Sequence, residues 1–257
     1  MQLLQLTMDK WRGKVAVVTG ASSGIGAAVA RSLVHHGMVV VGLARRDDRI
    51  KQLSEELAAA KEPGQLHAIR ADVCKEEDLL SAFDWVDREL GGVDVLVNNA
   101  GYWSHVGIDD GTVELWNKIL NTNVIGSSIC SREYLKSVEK HKKEVGHIFV
   151  VNSVVGHIVM VDSPMYCASK HALRALSMCL RRKLADQQSK IKVTDICPGL
   201  TKTEILDNTT RQDMFDHMSC LASEDVAAVI VDCLSASSVT QICEVVMNPV
   251  PTSIAAY

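Results

Sequence analysis

Tyr166 and Lys170 lie four positions apart in a segment, Met165 to Asp186, whose apolar residues recur at helical spacing. On a helix such residues project from the same face, so the ammonium of Lys170 would lie close to the phenol of Tyr166. A free tyrosine has a pKa of roughly 10, and a nearby positive charge favours its phenolate. A Tyr-x-x-x-Lys pair alone is common on helix surfaces, but Ser153, thirteen positions before Tyr166, adds a hydroxyl. The three side chains together predict proton transfer to or from a substrate oxygen.

A glycine-rich turn follows the first apolar run. The segment Thr19-Gly20-Ala21-Ser22-Ser23-Gly24-Ile25-Gly26 leads directly into a helical pattern. Such a turn places helix N-terminal amides where a pyrophosphate can bind, and glycine lets the backbone approach the ligand. Its GxxxGxG spacing differs from the general GxGxxG fingerprint, and a purely structural turn could carry the same glycines. Both interpretations stay open on the turn alone.

The residues after the second apolar run, Gly42-Leu43-Ala44-Arg45-Arg46, indicate which dinucleotide would bind. At this distance from a glycine turn, an acidic residue binds the ribose 2′-hydroxyl of NAD. Ala44 has no carboxylate, whereas Arg45, and with it Arg46, could bind a 2′-phosphate through charge-assisted hydrogen bonds. The pattern predicts NADP(H) as the cofactor, and the alternative is a solvated arginine pair beside two aspartates.

The elements that must position these residues alternate between short strands and longer helices. Seven apolar, β-branched runs predict strands at Val15 to Thr19, Met38 to Leu43, Leu66 to Ile69, Val93 to Val97, His147 to Val151, Ile191 to Ile196 and Ile242 to Met247. Helical spacing predicts helices at Ile25 to His36, Lys75 to Leu90, Val113 to Leu135 and Met165 to Asp186. Strands that are apolar throughout are buried on both faces, so helices should cover both sides. The sequence predicts an α/β, doubly wound Rossmann-type fold with a seven-stranded, mainly parallel sheet.

One domain over residues 1–257 is expected, because no internal repeat and no Pro/Gly/Ser-rich linker divides the chain. A composition of 47% hydrophobic residues with only 5 Pro supports one large core. Residues 1–13 are expected to form an N-terminal extension that is partly disordered.

The composition argues against several other classes of protein. Lys and Arg total 27 against 31 Asp and Glu, so the net charge of −4 gives no broad positive field for nucleic acid or an anionic membrane. The 8 Cys include no CxxC pair and no Cys/His set at zinc spacing, which predicts reduced thiols and no metal site. No secretory signal is recognisable, and no apolar stretch reaches the roughly 18 residues of a membrane-spanning helix. We therefore expect a cytoplasmic protein with neither a nucleic-acid partner nor a membrane span.

Together these motifs resemble the short-chain dehydrogenase/reductase superfamily, from about Lys14 to the end of the chain. The resemblance extends to Asp72-Val73, Asn98-Asn99-Ala100-Gly101, Asn121-Thr122-Asn123-Val124, Asn152-Ser153-Val154-Val155-Gly156, Tyr166-Cys167-Ala168-Ser169-Lys170 and Pro198-Gly199 with Thr203. Their joint occurrence in order is far more specific than any one of them. It implies an NADP(H)-dependent enzyme that interconverts an alcohol and a carbonyl.

The resemblance assigns catalytic roles to Asn123, Ser153, Tyr166 and Lys170. Tyr166 would transfer the proton while a hydride moves to or from nicotinamide C4. Ser153 would orient and polarise the substrate oxygen. Lys170 would also bind the nicotinamide ribose, and Asn123 would anchor a water that extends the proton relay. This scheme requires no metal.

The same motifs imply binding sites at the carboxyl ends of the strands. The candidate cofactor residues are Gly20, Ser22, Ser23, Gly24, Ile25, Gly26, Arg45, Arg46, Asp72, Val73, Asn99, Ala100, Gly101, Tyr166, Lys170, Pro198, Gly199, Thr201 and Thr203. The candidates for an apolar substrate wall are Trp103, Val155, Ile205, Leu206, Met214 and Phe215.

A finer resemblance concerns the substrate. The segments Met8-Asp9-Lys10-Trp11-Arg12-Gly13-Lys14-Val15, His36-Gly37-Met38 and Gly146-His147-Ile148 resemble insect farnesol dehydrogenase-like proteins and their vertebrate keto-steroid reductase relatives. This implies apolar substrates such as farnesol, other isoprenoid alcohols or keto-steroids, and a homodimer or homotetramer built from the long helices. The alternatives are a reductase of small polar carbonyls, sugars or quinones with the same tetrad, and a nucleotide-binding sensor without catalysis.

Overall fold

The computed structural model describes residues 7–208 and 218–251. In this part of the chain one sheet contains seven strands: β1 Val15–Thr19, β2 Val39–Ala44, β3 Gln65–Arg70, β4 Val95–Asn98, β5 Val145–Val151, β6 Lys190–Pro198 and β7 Glu244–Met247. Their order is β3-β2-β1-β4-β5-β6-β7, and each neighbouring pair is parallel. The predicted seven-stranded fold is confirmed, with a sheet that is parallel throughout.

Helices cover both faces of this sheet. Their bounds are α1 Gly24–His35, α2 Asp47–Ala59, α3 Glu76–Leu90, α4 Val113–Leu120, α5 Gly126–Lys140, α6 Pro164–Asp186 and α7 Ser223–Ser235. Helices α1, α2 and α7 pack on one face, where Val18 of β1 points, and α3, α5 and α6 pack on the other with Val17. Because both faces are covered, all five residues of β1 are buried. This explains why the strand reads as an uninterrupted apolar run.

The segment predicted as one helix over Val113 to Leu135 is divided into two helices. Between α4 and α5 the backbone forms a π-helical turn, Asn121–Ile125, which winds one extra residue into the helix. The Asn123 side chain bonds the backbone of Tyr102 from this turn. At the start of α5, a Cβ on Gly126 would come within 2.7 Å of the carbonyl oxygen of Val73. Periodicity could not reveal the turn, because these contacts are made with loops after other strands.

Met8 and Trp11, which lie within the predicted N-terminal extension of residues 1–13, pack against the core. Trp11 is buried, and its indole Nε1 donates to the carbonyl of Leu234 at 2.9 Å. Met8 belongs to the same hydrophobic cluster. The Trp11 contact joins residues 223 positions apart, so local sequence patterns carry no sign of it.

The strand order reverses direction between β1 and β4, which are neighbours in the sheet. In open α/β sheets a crevice forms at such a switch point, outside the carboxyl ends of the strands. The glycine turn after β1 and the loop after β4 meet there. Within residues 7–208 and 218–251, no helix combines the length and apolarity needed to cross a membrane.

Candidate active site

A cavity of about 1250 Å³ lies at the carboxyl ends of the strands. The glycine turn, the loops after β2 to β6 and the start of α6 all contribute to its lining. Pockets for small ligands are typically about 300 to 1,000 Å³, so this cavity has room for a dinucleotide together with a second molecule.

The glycine turn has the backbone shape that a phosphate site needs. Gly20 and Gly24 have φ values of +67° and +53°, which favour glycine. A Cβ on Gly26 would come within 2.3 Å of the Gly20 carbonyl oxygen, so any larger residue would force the turn open. No side chain caps α1 at Ser23, and its first turn contains no acidic residue. The positive end of α1 is therefore directed to the cavity, where it can hold an anionic pyrophosphate.

Asn99 holds the loop after β4 beside this turn. Its side-chain amide donates to the carbonyl of Thr19 at 2.9 Å. The backbone amides of Asn99 and Ala100 each donate to the Thr19 hydroxyl at 3.0 Å. These bonds join the ends of β1 and β4, on either side of the switch point. They fix the floor of the cavity before any ligand binds.

The arginines after β2 also line the cavity. Arg46 donates to the Ser23 hydroxyl at 3.1 Å and to Glu204 at 2.7 Å. Arg49, one helical turn further on, contacts the second oxygen of Glu204 at 2.5 Å. Arg45 is exposed on the cavity lining. Arg49 was not among the predicted site residues, although its spacing from Arg46 places it on the same helix face.

Tyr166 and Ser153 form the polar centre of the cavity. Tyr166 lies in the first turn of α6, and Ser153 lies two residues after the end of β5. Burial raises the pKa of Tyr166 above its ordinary value, and a hydrogen bond with Ser153 acts in the opposite direction. At neutral pH the phenol therefore holds its proton and can act as a proton donor.

Lys170 lies behind Tyr166 on the next turn of α6. Its ammonium is 5.6 Å from the centre of the Tyr166 ring and donates to the carbonyl of Val151 at 2.9 Å. Burial lowers the pKa of Lys170 to about 8. Most molecules therefore keep this positive charge at pH 7.

Asn123 is buried behind the cavity lining. Its side-chain oxygen accepts from the Tyr102 amide at 2.7 Å. Its amide nitrogen donates to the Tyr102 carbonyl at 3.0 Å and to the Ser169 hydroxyl at 2.9 Å. The side chain thus ties the π-helical turn to the loop after β4 and to α6. These contacts fix the position of the helix that carries Tyr166 and Lys170.

The family model of the short chain dehydrogenases matches residues 14–214. The chain belongs to this family. It is 45% identical to farnesol dehydrogenase from Aedes aegypti over 248 residues, covering 95% of this chain and 98% of that protein. It is 40% identical to dehydrogenase/reductase SDR family member 11 from Bos taurus over 250 residues, covering 94% and 98%. The predicted superfamily and its closer farnesol dehydrogenase-like resemblance are confirmed.

Solved structures agree with this assignment. The alcohol dehydrogenase from the archaeon Thermococcus sibiricus, complexed with 5-hydroxy-NADP, superposes with a TM-score of 0.82 at 25% identity. The match covers 92% of this chain and 97% of that one. The Rossmann-type fold of this short-chain dehydrogenase is therefore shared over nearly its whole length.

Most of the predicted site residues of this short-chain dehydrogenase line the cavity. Of the cofactor candidates, Gly24 and Gly26 alone are absent from the lining, and both lie in the first turn of α1. Ser153 lines the cavity, whereas Asn123 does not. The substrate candidates on the lining are Trp103, Val155, Ile205 and Leu206. Met214 and Phe215 lie outside the described residues.

An apolar edge of the cavity, not predicted from the sequence, is formed by Val159, Met160 and Val161. These residues lie between the short 3₁₀ turn Val154–Gly156 and α6. Val159 is 76% exposed and Val161 is 85% exposed. Trp103 lies deeper, packed edge-on against Tyr166 with ring centres 6.4 Å apart, and donates to the Ser163 hydroxyl at 3.0 Å. The run Ile158 to Val161 lies between two predicted catalytic residues, and that position was the signal available in the sequence.

A second cluster of polar groups lies beside β6 and β7 of this short-chain dehydrogenase. His157, Cys197 and Glu244 each place one potential metal ligand within 4.8 Å of the others. Glu244 is already in contact with His157 at 2.8 Å and with Arg174 at 3.4 Å. Burial raises the pKa of the Cys197 thiol, whereas a metal binds the thiolate. These contacts favour a charge-paired network that supports the end of β6.

Proposed function

We propose that this short-chain dehydrogenase uses NADP(H) to interconvert an apolar alcohol and its carbonyl. Isoprenoid alcohols such as farnesol, and keto-steroids, are the proposed substrates. The observation that carries this proposal is the pairing of Tyr166 with Ser153 in a cavity of dinucleotide size, with the Lys170 ammonium behind the tyrosine.

The residues present suit a nicotinamide dinucleotide. The glycine turn and the start of α1 would hold the pyrophosphate, with Asp72 and Val73 at the adenine end. Lys170 would bind the nicotinamide ribose, and the segment from Pro198 to Thr203 would lie beside the nicotinamide. When bound, this cofactor supplies or accepts a hydride at its C4. The close fit of Gly26 against Gly20 supports a turn kept small for a ligand.

The protein's own groups would manage the proton. Ser153 would hold the substrate oxygen beside the Tyr166 hydroxyl. In carbonyl reduction, Tyr166 would donate its proton to that oxygen as the carbon receives the hydride. In alcohol oxidation, the Lys170 ammonium would favour the phenolate, which takes the hydroxyl proton. Asn123 would act through its bonds to Tyr102 and Ser169, which position α6. It would also anchor a water that extends the proton relay.

We expect kcat/KM to be higher with NADPH than with NADH, because Arg45 and Arg46 can bind the 2′-phosphate and Ala44 offers the plain ribose no carboxylate. Exchanging Ala44 for Asp and Arg45 for Gln should shift the ratio of the two kcat/KM values toward NADH by roughly tenfold or more. The matched control is Arg31→Gln, which removes an exposed arginine on α1 outside the cavity lining. A wild-type protein that favours NADH would overturn the proposed cofactor.

We also expect kcat/KM to rise with the length of the substrate chain. The cavity wall includes Trp103, Val155, Ile205 and Leu206, and its edge carries Val161. Each buried methylene contributes about 0.8 kcal/mol, or roughly fourfold in kcat/KM, until the substrate covers the whole apolar wall of the cavity. Primary alcohols from short alkanols to farnesol should be assayed with NADP⁺, and keto-steroids with NADPH.

Two variants test whether the apolar wall causes the rise in kcat/KM with substrate length. Ile205→Ala should flatten the upper part of the substrate series, since it removes apolar surface from the proposed substrate wall. Val239→Ala is the control, because Val239 is 92% exposed and outside the cavity lining. A flat or falling series combined with strong activity on small polyols or dicarbonyls would favour the polar-carbonyl alternative. Absence of turnover on the whole panel would favour the nucleotide-binding sensor.

We further propose a cytoplasmic homodimer or homotetramer. Leu176 and Met178 on α6 are 38% and 55% exposed, and Ile125 beside α5 is 49% exposed. Apolar side chains on the long helices support an interface between copies of this chain at these positions.

A further inference from the structure

Two arginines of the cavity lining are paired with a carboxylate from a distant part of the chain. Glu204 contacts Arg46 through one oxygen at 2.7 Å and Arg49 through the other at 2.5 Å. These residues are 158 and 155 positions away in the sequence. Arg46 also donates to Ser23 in the glycine turn. All four side chains belong to residues that line the cavity.

The Glu204 carboxylate, like a phosphate group, is an anion that binds arginine side chains. Carboxylates and phosphates both accept charge-assisted hydrogen bonds from guanidinium groups. Hydrogen bonds from Arg46 and Arg49 lower the pKa of Glu204, so it is an anion at neutral pH. An anion already paired with these arginines competes with a second anion for the same donors, and the two anions repel each other.

We propose that Glu204 is an internal competitor for the 2′-phosphate of the cofactor and thereby sets how strongly this protein distinguishes NADP(H) from NAD(H). The inference rests on the proposed use of NADP(H). Binding of the 2′-phosphate releases Arg46 from Glu204, whereas a cofactor without that phosphate leaves the pair in place. Glu204 therefore lowers the affinity for NADP(H) and has little effect on that for NAD(H).

The position of Glu204 in the chain connects this exchange to the rest of the site. Thr203, which precedes it, packs against the glycine turn, since a Cβ on Gly24 would lie 3.0 Å from its methyl group. Ile205 and Leu206, which follow it, belong to the apolar wall. The carboxylate that yields to the phosphate is therefore in the same segment as residues proposed to contact the substrate.

The test is Glu204→Gln, with dissociation constants measured by calorimetry at one fixed salt concentration. The ligands are NADPH, NADH, adenosine 2′,5′-bisphosphate and adenosine 5′-monophosphate. Glu204→Gln removes the charge that competes with the phosphate for Arg46 and Arg49, so NADPH and the bisphosphate should bind more tightly. Because exposed ion pairs are weak, their Kd should fall by only about threefold to tenfold. The Kd for NADH and the monophosphate should change less than about twofold. Glu204→Ala tests the same step without an amide oxygen that could still accept from the arginines.

Glu56→Gln is the matched control, because Glu56 forms an exposed pair with Arg31 at 3.1 Å outside the cavity lining. It should leave all four constants unchanged. An unchanged or higher Kd for NADPH in both Glu204 variants would overturn the inference, and a higher one would indicate that Glu204 positions the arginines for the phosphate. If wild-type protein binds NADH more tightly than NADPH, the proposed cofactor itself fails, a result that the variants do not affect.

Discussion

Tyr166→Phe is expected to lower kcat by at least about 100-fold, the lower end of what a general acid–base group contributes. The substitution removes the one hydroxyl that forms a hydrogen bond with Ser153 in the proposed scheme, and it leaves the ring that packs against Trp103. Fold and cofactor affinity should therefore be retained. Steady-state kinetics with NADPH and a keto-steroid or farnesal measure the loss, and titration with NADPH checks the affinity.

Tyr102→Phe is the matched control for this experiment. Tyr102 also lines the cavity, but its ring lies under the Lys118 ammonium at 3.9 Å, and its bonds to Asn123 use the backbone. Losing its hydroxyl should leave kcat largely unchanged. Near-normal turnover in Tyr166→Phe, or an equal loss in both variants, would reject Tyr166 as the proton-transferring residue.

Lys170→Ala is expected to reduce both kcat and cofactor affinity, each by roughly tenfold or more, because hydrogen bonds to charged groups are worth about 1.5 to 3 kcal/mol. The ammonium is buried, and burial lowers the pKa of Lys170 to about 8. Its positive charge is present at pH 7 and is lost as the pH rises through about 8. Above that pH the wild-type protein should lose the stabilisation of the Tyr166 phenolate by the Lys170 charge, and its kcat for alcohol oxidation should reflect this loss. The kcat of Lys170→Ala should not show this pH dependence.

Two further measurements separate this role from a structural one. Lys118→Ala removes another lysine from the cavity lining and should change kcat far less. Lys170→Met keeps most of the side-chain volume, so it limits the loss of packing while removing the charge. Variants of Lys170 that change the melting temperature but leave kcat and the Kd for NADPH intact would show that the lysine only supports the fold.

The sheet could be predicted because its strands are covered on both faces. Burial on two sides requires runs such as Val15–Thr19 to be apolar throughout, and this pattern is visible without any partner. The spacing of Tyr166 and Lys170 was equally readable, since both are on one helix. Local patterns and motif order therefore sufficed for the fold, and most of the residues that they indicated for the site line the cavity.

The features that could not be predicted depend on contacts between distant parts of the chain. Glu204 meets Arg46 across 158 positions, and nothing in the charge pattern near either residue indicates the pairing. The π-helical turn at Asn123 likewise follows from bonds to Tyr102 and Ser169 rather than from the helix's own sequence. Propensity and periodicity report only on near neighbours, so tertiary contacts decided both features.

The bond from Trp11 to Leu234 has a consequence for the order in which the chain folds. The ribosome adds the partner carbonyl 223 residues after Trp11. The central strand β1 likewise cannot complete its pairing until β4 has been made, because its Val17 pairs with Leu96 of β4. Closing such long loops costs entropy before any contact compensates for it, which makes folding of non-local sheets slow. During synthesis, Trp11 therefore stays exposed until α7, which contains Leu234, has been made.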